Sequence, residues 1–423
     1  MTPALVSLII FILCIILFVI DKLPMATTAI LGCAVMVIAG VCDFKTAFGQ
    51  FASSTVILTI GVMIIGAAIS ETGLANTVGR WIAYRSKGSE TTLTIGTYLA
   101  AALLSAFLTN SAVLAMFIPI IMGLSSADER LKPKNLVMPI VYGCIIGGTS
   151  TLVGSTQQLT AQGLLEEAGL RMFKTFDFTP VGGVLVLLGL LYCLFIGRSR
   201  GEKIWGDRHD EDIEYIPPEE SNCGSRKKQI TAALIFAFTV VFYITEWLPL
   251  PITSTTAALL CIISGCITQK KAVQSVNWNV VGRLAGCLGL AKALGAAGGT
   301  ELIMAGFQSI IGTDVSPFLL FCIFVFITQF ASEFLSNSTA IMMTLPIVIA
   351  IAPGMGLNTY TFALGMTLGS GIGLACPLSS STAGMSMMMG YRFGDYFKYS
   401  FLFDLIAYIT IIALVPLIYG LTV

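Results

Sequence analysis

Long apolar stretches separated by short polar segments make up most of this chain. A membrane-spanning helix needs about 20 mostly apolar residues, and several stretches come close to that length. They cover residues 4–20, 24–41, 55–70, 180–197, 230–246, 252–267, 279–296 and 399–421. The pattern therefore predicts an all-α polytopic membrane protein.

Four further apolar regions are interrupted by polar residues. Regions 92–123 and 316–352 each carry a polar cluster at the centre, which predicts a re-entrant helical hairpin. Regions 136–168 and 359–390 are broken by Gly, Ser and Thr, which predicts helices with an unwound segment. Irregular backbone at membrane depth is tolerated only where protein or a water-filled cavity covers it. A binding site is therefore expected at these interruptions.

The second half of the chain repeats features of the first half in the same order. The segment Phe18-Val-Ile-Asp-Lys-Leu-Pro24 resembles Tyr243-Ile-Thr-Glu-Trp-Leu-Pro249. Farther along, Gly40 is matched by Gly265 and Gly73 by Gly298, all at one constant spacing. An internal duplication of this kind is typical of many secondary transporters.

The repeats cover residues 1–197 and 230–423, and the polar segment 198–229 is expected to form a solvated linker between them. A layout with both termini outside places 18 of the 23 Lys and Arg residues on the cytoplasmic side, as the positive-inside rule requires. Each half then crosses the membrane an odd number of times, so the repeats are inverted. We expect a plasma (inner) membrane protein whose linker is cytoplasmic.

Composition excludes several classes of protein. The chain is 56% hydrophobic and 11% charged, with a mean hydropathy of +0.89, whereas soluble domains carry roughly 25% charge. Its formal net charge of zero argues against binding to nucleic acid. His209 is the single histidine, and neither an H-E-x-x-H motif nor a Ser–His pair at membrane depth is available. An intramembrane enzyme is therefore not expected.

Each predicted hairpin carries hydroxyl groups and one amide around its turn. The polar residues are Ser105, Thr109, Asn110 and Ser111 in the first hairpin and Ser332, Ser336, Asn337 and Ser338 in the second. Asparagine and hydroxyl oxygens suit a hard monovalent cation, while the free N–H groups that begin the next helix suit an anion. Hydrogen bonding between neighbouring helices is the alternative role. Two equivalent clusters in a duplicated chain favour a binding site.

The two predicted unwound segments extend this pattern. One reads Gly147-Gly-Thr-Ser-Thr-Leu-Val-Gly154-Ser155-Thr-Gln-Gln158, and the other contains Gly369, Gly371 and Gly373 before the hydroxyl run Ser379–Thr382. Glycine permits an unwound backbone, which frees carbonyl groups for a cation and amide groups for an anion. Close helix packing explains the glycines equally well, but it does not explain the run of four hydroxyl residues.

The two turns resemble the divalent anion–sodium symporter family of the ion transporter superfamily. That family carries a Ser-Asn-Thr motif at each of two hairpin tips, matched here by Thr109-Asn110-Ser111 and Ser336-Asn337-Ser338. Glu333 before the second motif also matches that family, and the stretch Gly147–Gly154 resembles its glycine-rich loop. The resemblance implies a scaffold plus a transport domain, an elevator mechanism and a homodimer. The chain lacks the family's Thr-Pro-Pro after either loop glycine, which leaves the identity of the anion open.

The resemblance also implies the ligands of two sodium ions and of one anion. It implies that the first sodium ion is bound by Ser105, Thr109, Asn110 and Gly154. It implies that the second is bound by Ser332, Ser336, Asn337 and Ser379. The anion would contact Asn110, Ser111, Asn337 and Ser338, together with Ser155 and Ser380 from the unwound segments.

The expected function is therefore sodium-coupled symport of a small dianion, namely a C4-dicarboxylate. Bound sodium ions would supply the positive charge at the anion site. Arg283 is expected to snorkel towards the cytoplasmic interface, with attraction of an anion as the alternative. Glu333 is expected to be structural. Citrate, sulfate or another anion, and coupling to protons, remain alternatives, as does a channel or receptor. The repeat argues against a channel. The lack of histidine at membrane depth, and of a clear carboxylate in either cluster, argues against protons.

Overall fold

The protein is described by a computed structural model that covers residues 2–20, 22–73, 77, 89–127, 131–206, 225–311 and 315–422. Its regular structure in these ranges is helical, apart from one isolated antiparallel bridge between Leu357 and Thr422. Six helical segments of the described chain are long and apolar enough to cross a membrane. The predicted all-helical membrane fold is confirmed.

The first half contributes ten helices within its described residues. They are α1 (Pro3–Ile20), α2 (Met25–Ile38), α3 (Phe44–Phe48), α4 (Ser54–Thr72), α5 (Glu90–Ser105), α6 (Asn110–Ala127), α7 (Pro133–Gly148), α8 (Thr156–Glu167), α9 (Thr179–Leu191) and α10 (Arg198–Trp205). A π-helical turn, Tyr192–Gly197, joins the last two.

The second half repeats this order. Its described helices are α11 (Arg226–Thr245), α12 (Leu250–Ile263), α13 (Gln269–Ser275), α14 (Trp278–Ala296), α15 (Gly299–Ile311), α16 (Pro317–Phe334), α17 (Asn337–Ile351), α18 (Thr359–Ser370), α19 (Ser381–Ser386) and α20 (Phe393–Tyr419). Helices α11–α14 correspond in order to α1–α4, and α16–α20 correspond to α5–α9.

Helices of the first half pack against helices of the second half where the two halves meet. Helix α2 packs along α14, and α4 packs along α12. Because α12 is the counterpart of α2 and α14 is the counterpart of α4, the two contacts are equivalent under the repeat. Glycines make the close approach possible. A Cβ atom at Gly286 would lie 2.8 Å from Cβ of Ala29, and one at Gly61 would lie 2.7 Å from Oγ of Ser254.

The glycines that revealed the repeat have equivalent backbone conformations. Gly40 and Gly265 have φ angles of 68° and 73°, and Gly73 and Gly298 have φ angles of 71° and 80°. Residues in this left-handed region commonly end helices, and glycine adopts it without steric cost. Each pair therefore ends equivalent helices in the two halves.

The interrupted regions have the form that the sequence predicts. Four residues, 106–109, join α5 to α6, and Leu335 and Ser336 join α16 to α17. Residues 149–155 separate α7 from α8, and residues 371–380 separate α18 from α19. We call these two unwound stretches the first gap (149–155) and the second gap (371–380).

The predicted linker is helical at its start. Residues 198–205 form α10 rather than solvated loop, because Trp205 is buried and its Nε1 donates a hydrogen bond to Oδ1 of Asn135 at 2.8 Å. Arg198 also pairs with Glu90 at 3.1 Å. Residues 207–224, with His209, lie outside the described residues.

A candidate ion and solute site at the two hairpin turns

Each hairpin turn presents an asparagine at the start of its second helix. Asn110 is the first residue of α6, and Asn337 is the first residue of α17. The first backbone N–H groups of a helix have no partner within the helix and carry partial positive charge. Both turns therefore combine amide and hydroxyl oxygens with backbone donors, as the sequence predicts.

The Asn110 side chain lies in a ring of oxygen atoms. The amide atom nearest Ser105 is 2.6 Å from Oγ of that residue, and it lies 3.3 Å from the carbonyl oxygens of both Cys144 and Gly154. The other amide atom lies 3.3 Å from Oγ of Ser155. Helices α5, α6 and α7 and the first gap all contribute atoms to this ring.

Asn337 has an equivalent environment in the second half. One of its amide atoms lies 3.3 Å from the carbonyl oxygen of Ser370 and 3.1 Å from that of Ser379. Three oxygen atoms therefore face one amide position of Asn110, and two carbonyl oxygens face one amide position of Asn337; we call these two sets the asparagine rings. An amide nitrogen there can donate to them, whereas an amide oxygen there forms, with the carbonyl groups, a set of ligands for a hard cation.

Glycines bring the first gap into contact with the first hairpin. A Cβ atom at Gly148 would lie 2.3 Å from Oδ1 of Asn110. At Gly154 it would lie 2.5 Å from the carbonyl oxygen of Gly148 and 2.8 Å from that of Ser105. No side chain fits at either position, so glycine is required for the carbonyl groups to converge on Asn110.

The second gap is held by Ser379. Its hydroxyl group donates to the carbonyl oxygens of Gly373 at 2.5 Å and Cys376 at 2.9 Å. Ser332 of the hairpin lies against the same gap, because a Cβ atom at Gly373 would be 2.9 Å from Oγ of Ser332. The hydroxyl group of Ser379 thus stabilises the second gap by hydrogen bonds within it. The carbonyl oxygen of Ser379 lies beside the Asn337 amide.

The two halves meet directly at this level. Oγ1 of Thr156, the first residue of α8, lies 2.8 Å from Oγ of Ser338 in the first turn of α17. The gaps also touch, because a Cβ atom at Gly371 would lie 2.4 Å from Cγ2 of Thr149. The second hairpin therefore contacts the start of α8, and the two gaps contact each other.

A guanidinium group adjoins the second turn. Arg283 of α14 donates from Nη1 to Oγ of Ser336 at 3.1 Å. Thr156 and Ser338 line the same narrow crevice. No carboxylate among the described residues lies within salt-bridge distance of this guanidinium. The expectation that Arg283 snorkels to the interface is wrong, because its side chain turns inwards to the hairpin.

The remaining predicted residues differ in what their hydroxyl groups do. Thr109 and Ser111 have no hydrogen-bond partner for their hydroxyl groups in the described parts of the chain, so both are available to a ligand. Ser380 accepts a hydrogen bond from the backbone N–H of Ala383 at 3.1 Å and thereby caps α19. Ser332 donates to the carbonyl oxygen of Gln329 at 2.9 Å.

Sequence reasoning missed three polar residues at this site. Neither Thr156 nor Thr339 was singled out, and for Arg283 the interface was preferred to the alternative of attracting an anion. Thr339 shares a hydrogen bond of 2.6 Å with Ser336. The signal for Arg283 was its position inside an apolar stretch, because a charge at membrane depth indicates function.

A family model described as Citrate transporter (CitMHS) matches residues 15–353. Relatives include a Sodium-dependent dicarboxylate transporter, SdcS, from Staphylococcus aureus (strain USA300), which is 23% identical over 78% of this chain and 69% of that protein. An uncharacterized transporter from Haemophilus influenzae is 25% identical over 79% of this chain and 74% of that protein. These relatives are transporters and not enzymes, which confirms both the resemblance and the exclusion of an enzyme.

Other matches are partial or structural. The Escherichia coli transporter YfbS is 29% identical over 43% of this chain, which spans only 29% of that protein. Two solved structures share the fold at 13% identity. The Alcanivorax borkumensis YdaH transporter has a TM-score of 0.67 and covers 89% of this chain and 88% of its own. Neisseria gonorrhoeae MtrF has a TM-score of 0.62 and covers 99% of this chain and 95% of its own.

Proposed function

This chain belongs to the citrate transporter family and is a multi-pass secondary transporter of small anionic solutes, and we propose that it couples sodium entry to uptake of a C4-dicarboxylate. The observation that carries the proposal is the pair of asparagines, each with one amide position surrounded by oxygen atoms. Each ring binds one sodium ion, and the dianion lies between them.

Arg283 supports a site for an anion. An unpaired guanidinium group away from water is costly, and a bound carboxylate would neutralise it. Its contact with Ser336 places this charge at the hairpin turn. Hydrogen bonds between arginine and a carboxylate are short and strong. One carboxylate of the substrate therefore binds Arg283, Ser336 and Ser338, and the other binds Asn110, Ser111 and Ser155.

Sodium supplies the rest of the positive charge. Opposite unit charges about 4 Å apart attract by about 4 kcal/mol at an intermediate dielectric. Loss of an ion from either asparagine ring would therefore weaken binding of the dianion, and loss of the dianion would weaken binding of the ion. This mutual dependence couples the two fluxes.

The mechanism is of the elevator type. Helices α5–α9 and α16–α20 form the moving body with both asparagine rings, and α1–α4 with α11–α15 form the scaffold. Arg283 on α14 and Ser336 in the hairpin lie on opposite sides of this division, and so do Lys292 on α14 and Glu167 on α8, whose ion pair is 3.0 Å long. The protein is a homodimer in the plasma (inner) membrane, with both termini outside and the linker in the cytoplasm.

Uptake of labelled succinate, citrate and sulfate into proteoliposomes tests the proposal. An inward sodium gradient is compared with choline at the same membrane potential. We expect succinate to accumulate only with sodium, and unlabelled succinate in excess to block it. Equal accumulation in both media would overturn sodium coupling.

Citrate is the second candidate substrate, because the matching family model carries its name. It has one more carboxylate than succinate, and the described residues place one arginine at the site. If citrate is the substrate, it will compete with succinate at lower concentration than succinate competes with itself. The same competition assay therefore ranks the two.

A further inference from the structure

A cavity lies between α8 and α17 on one side and α14 and α15 on the other, away from both hairpin turns. Its volume is 460 Å³, within the range of about 300–1,000 Å³ that small-molecule pockets occupy. Glu167, Lys292 and Pro346 are among the residues that line it. The function proposed above assigns no role to this cavity.

The same three helices line the narrow crevice beside the second hairpin turn. Thr160 of α8, Arg283 of α14 and Ser338 of α17 border that crevice. On each helix the residues that line the cavity come later in the chain than those that line the crevice. The cavity therefore lies about one to two helical turns beyond the crevice, along the direction in which the three helices run.

Leu288 lies between the crevice and the cavity on α14. Residues three or four positions apart share one face of a helix. Leu284 lines the crevice and Ala291 lines the cavity, so Leu288, which stands one turn from each of them, faces the same way. Leu288 is 1% exposed, and its side chain therefore fills the space between the two openings.

The other two helices close around Leu288. On α8, Gly163 stands one turn after Thr160, and a Cβ atom at Gly163 would lie 2.8 Å from Cδ1 of Leu288. Glycine at this position is therefore what lets the leucine side chain reach α8. On α17, Met342 stands one turn after Ser338 and is buried as well. Apolar atoms thus separate the cavity from the crevice.

The charged groups differ on the two sides of Leu288. In the cavity, Lys292 pairs with Glu167 at 3.0 Å, and Glu301 is exposed. In the crevice, Arg283 has no carboxylate within salt-bridge distance in the described part of the chain. A passage must bind its solute weakly enough to release it. A dianion in the cavity meets a lysine whose charge is already balanced, and the first unbalanced cation lies beyond Leu288.

We propose that the cavity is the vestibule through which the solute reaches its site and that Leu288, packed against Gly163 and Met342, is the plug between the two. The plug opens when α8 and α17 move relative to α14. In the layout with both termini outside, the three helices end at the outer face, so the vestibule opens there. The role in solute entry rests on the function proposed above, whereas the plug itself does not.

Cysteine accessibility in the full chain, reconstituted in lipid, tests the plug. Thr160→Cys places a thiol in the crevice, and Ala168→Cys places one in the cavity. A membrane-impermeant anionic methanethiosulfonate is added from one face at a time, and mass spectrometry follows the reaction, with the chain lacking an added cysteine as the baseline. We expect Ala168→Cys to react from one face at least about tenfold faster than Thr160→Cys, because the crevice is reached only by local opening. Equal rates would overturn the plug.

Truncation of Leu288 is the decisive change in the same assay. Leu288→Ala should raise the rate at Thr160→Cys by about tenfold from the face that reaches the cavity. Leu290→Ala is the matched control, because Leu290 is equally buried on α14 but faces α2, where a Cβ atom at Gly32 would lie 2.9 Å from its Cδ2. An unchanged rate in Leu288→Ala, or an equal rise in Leu290→Ala, would overturn the proposal. Leu288→Val gives a smaller rise and keeps the test usable if Leu288→Ala does not fold.

The kinetics of succinate binding test the link to the solute. A plug changes the barrier between the vestibule and the site without changing either end state. Leu288→Ala should therefore raise the association and dissociation rates of succinate by the same factor and leave its affinity within about twofold of the wild-type value. If labelling behaves as expected and no succinate binds, the proposed substrate fails and the plug stands. Unchanged binding rates in Leu288→Ala would overturn the link.

Discussion

The two hairpin turns are equivalent by sequence but differ in their surroundings. Around Asn110 the oxygen ring is built from Ser105, the first gap and α7, all within the first half. Around the second turn, Arg283 reaches Ser336 from another helix, and Glu333 lies behind the turn. In the proposed function, the oxygen atoms that both turns share bind a cation, and the guanidinium group beside the second turn binds an anion.

Removal of the asparagine side-chain amide tests the feature that the two turns have in common. Asn110→Ala and Asn337→Ala should each reduce sodium-driven succinate uptake to background, because a ring that loses its amide oxygen binds the ion poorly. Uptake into proteoliposomes measures this, and Asn279→Ala, at an exposed position on α14, is the matched control. Full activity in both variants would remove the asparagine rings from the mechanism.

Arg283→Gln removes the charge that distinguishes the second turn. A hydrogen bond to a charged group contributes about 1.5–3 kcal/mol, so succinate affinity should fall about 10- to 100-fold. The sodium dependence of the remaining binding should persist. Arg171→Gln, at a position where the guanidinium lies 4.5 Å from the Tyr360 ring centroid, is the control. Unchanged affinity in Arg283→Gln would show that sodium alone neutralises the anion.

Glycine substitutions test how closely each gap packs against its hairpin. Gly148→Ala places a Cβ atom 2.3 Å from Oδ1 of Asn110, whereas Gly373→Ala places one 2.9 Å from Oγ of Ser332. Because Ser332 can change rotamer more easily than Asn110 can leave its ring, sodium affinity should fall about tenfold in the first variant and only a few-fold in the second. Gly183→Ala, with no atom within 4 Å of the added Cβ, is the control. The reverse order would show that the second gap is the more rigid.

The ion pair between Lys292 and Glu167 should matter least. The lysine side chain is 43% exposed and the glutamate side chain 13%, so water reaches the lysine end, and pairs of this kind contribute roughly 0–1 kcal/mol. Lys292→Met should therefore lower the melting temperature by at most a few degrees, as thermal unfolding will measure. Lys45→Met serves as a control without such a pair among the described residues. A large loss of stability would show that this contact holds the two bodies together.

Most of the fold and the two asparagine turns could be predicted because they depend on local patterns. Apolar length predicts the helices, glycine spacing predicts their ends, and the repeated Asn motif predicts both turns. The contact of Arg283 with Ser336 joins α14 to the turn between α16 and α17, which lies 53 residues farther along the chain. A charge in an apolar stretch has the same sequence pattern whether it snorkels or turns inwards, so only packing separates the two cases.

Glu333 also makes a contact that the sequence pattern does not reveal. The sequence places it near a hairpin end, where a structural role is the simpler interpretation. In the structure its Oε2 accepts a hydrogen bond from the backbone N–H of Cys376 at 3.0 Å, which joins the hairpin to the second gap and which the sequence pattern does not reveal.

Reciprocal binding to the purified protein tests the central claim, that sodium in the asparagine rings holds the dianion, most directly. Succinate affinity is titrated at saturating sodium and in choline, and sodium affinity is titrated with and without succinate. The account predicts that each ligand strengthens binding of the other by the same factor, because coupling free energies are reciprocal. Equal succinate affinity in sodium and in choline would contradict it.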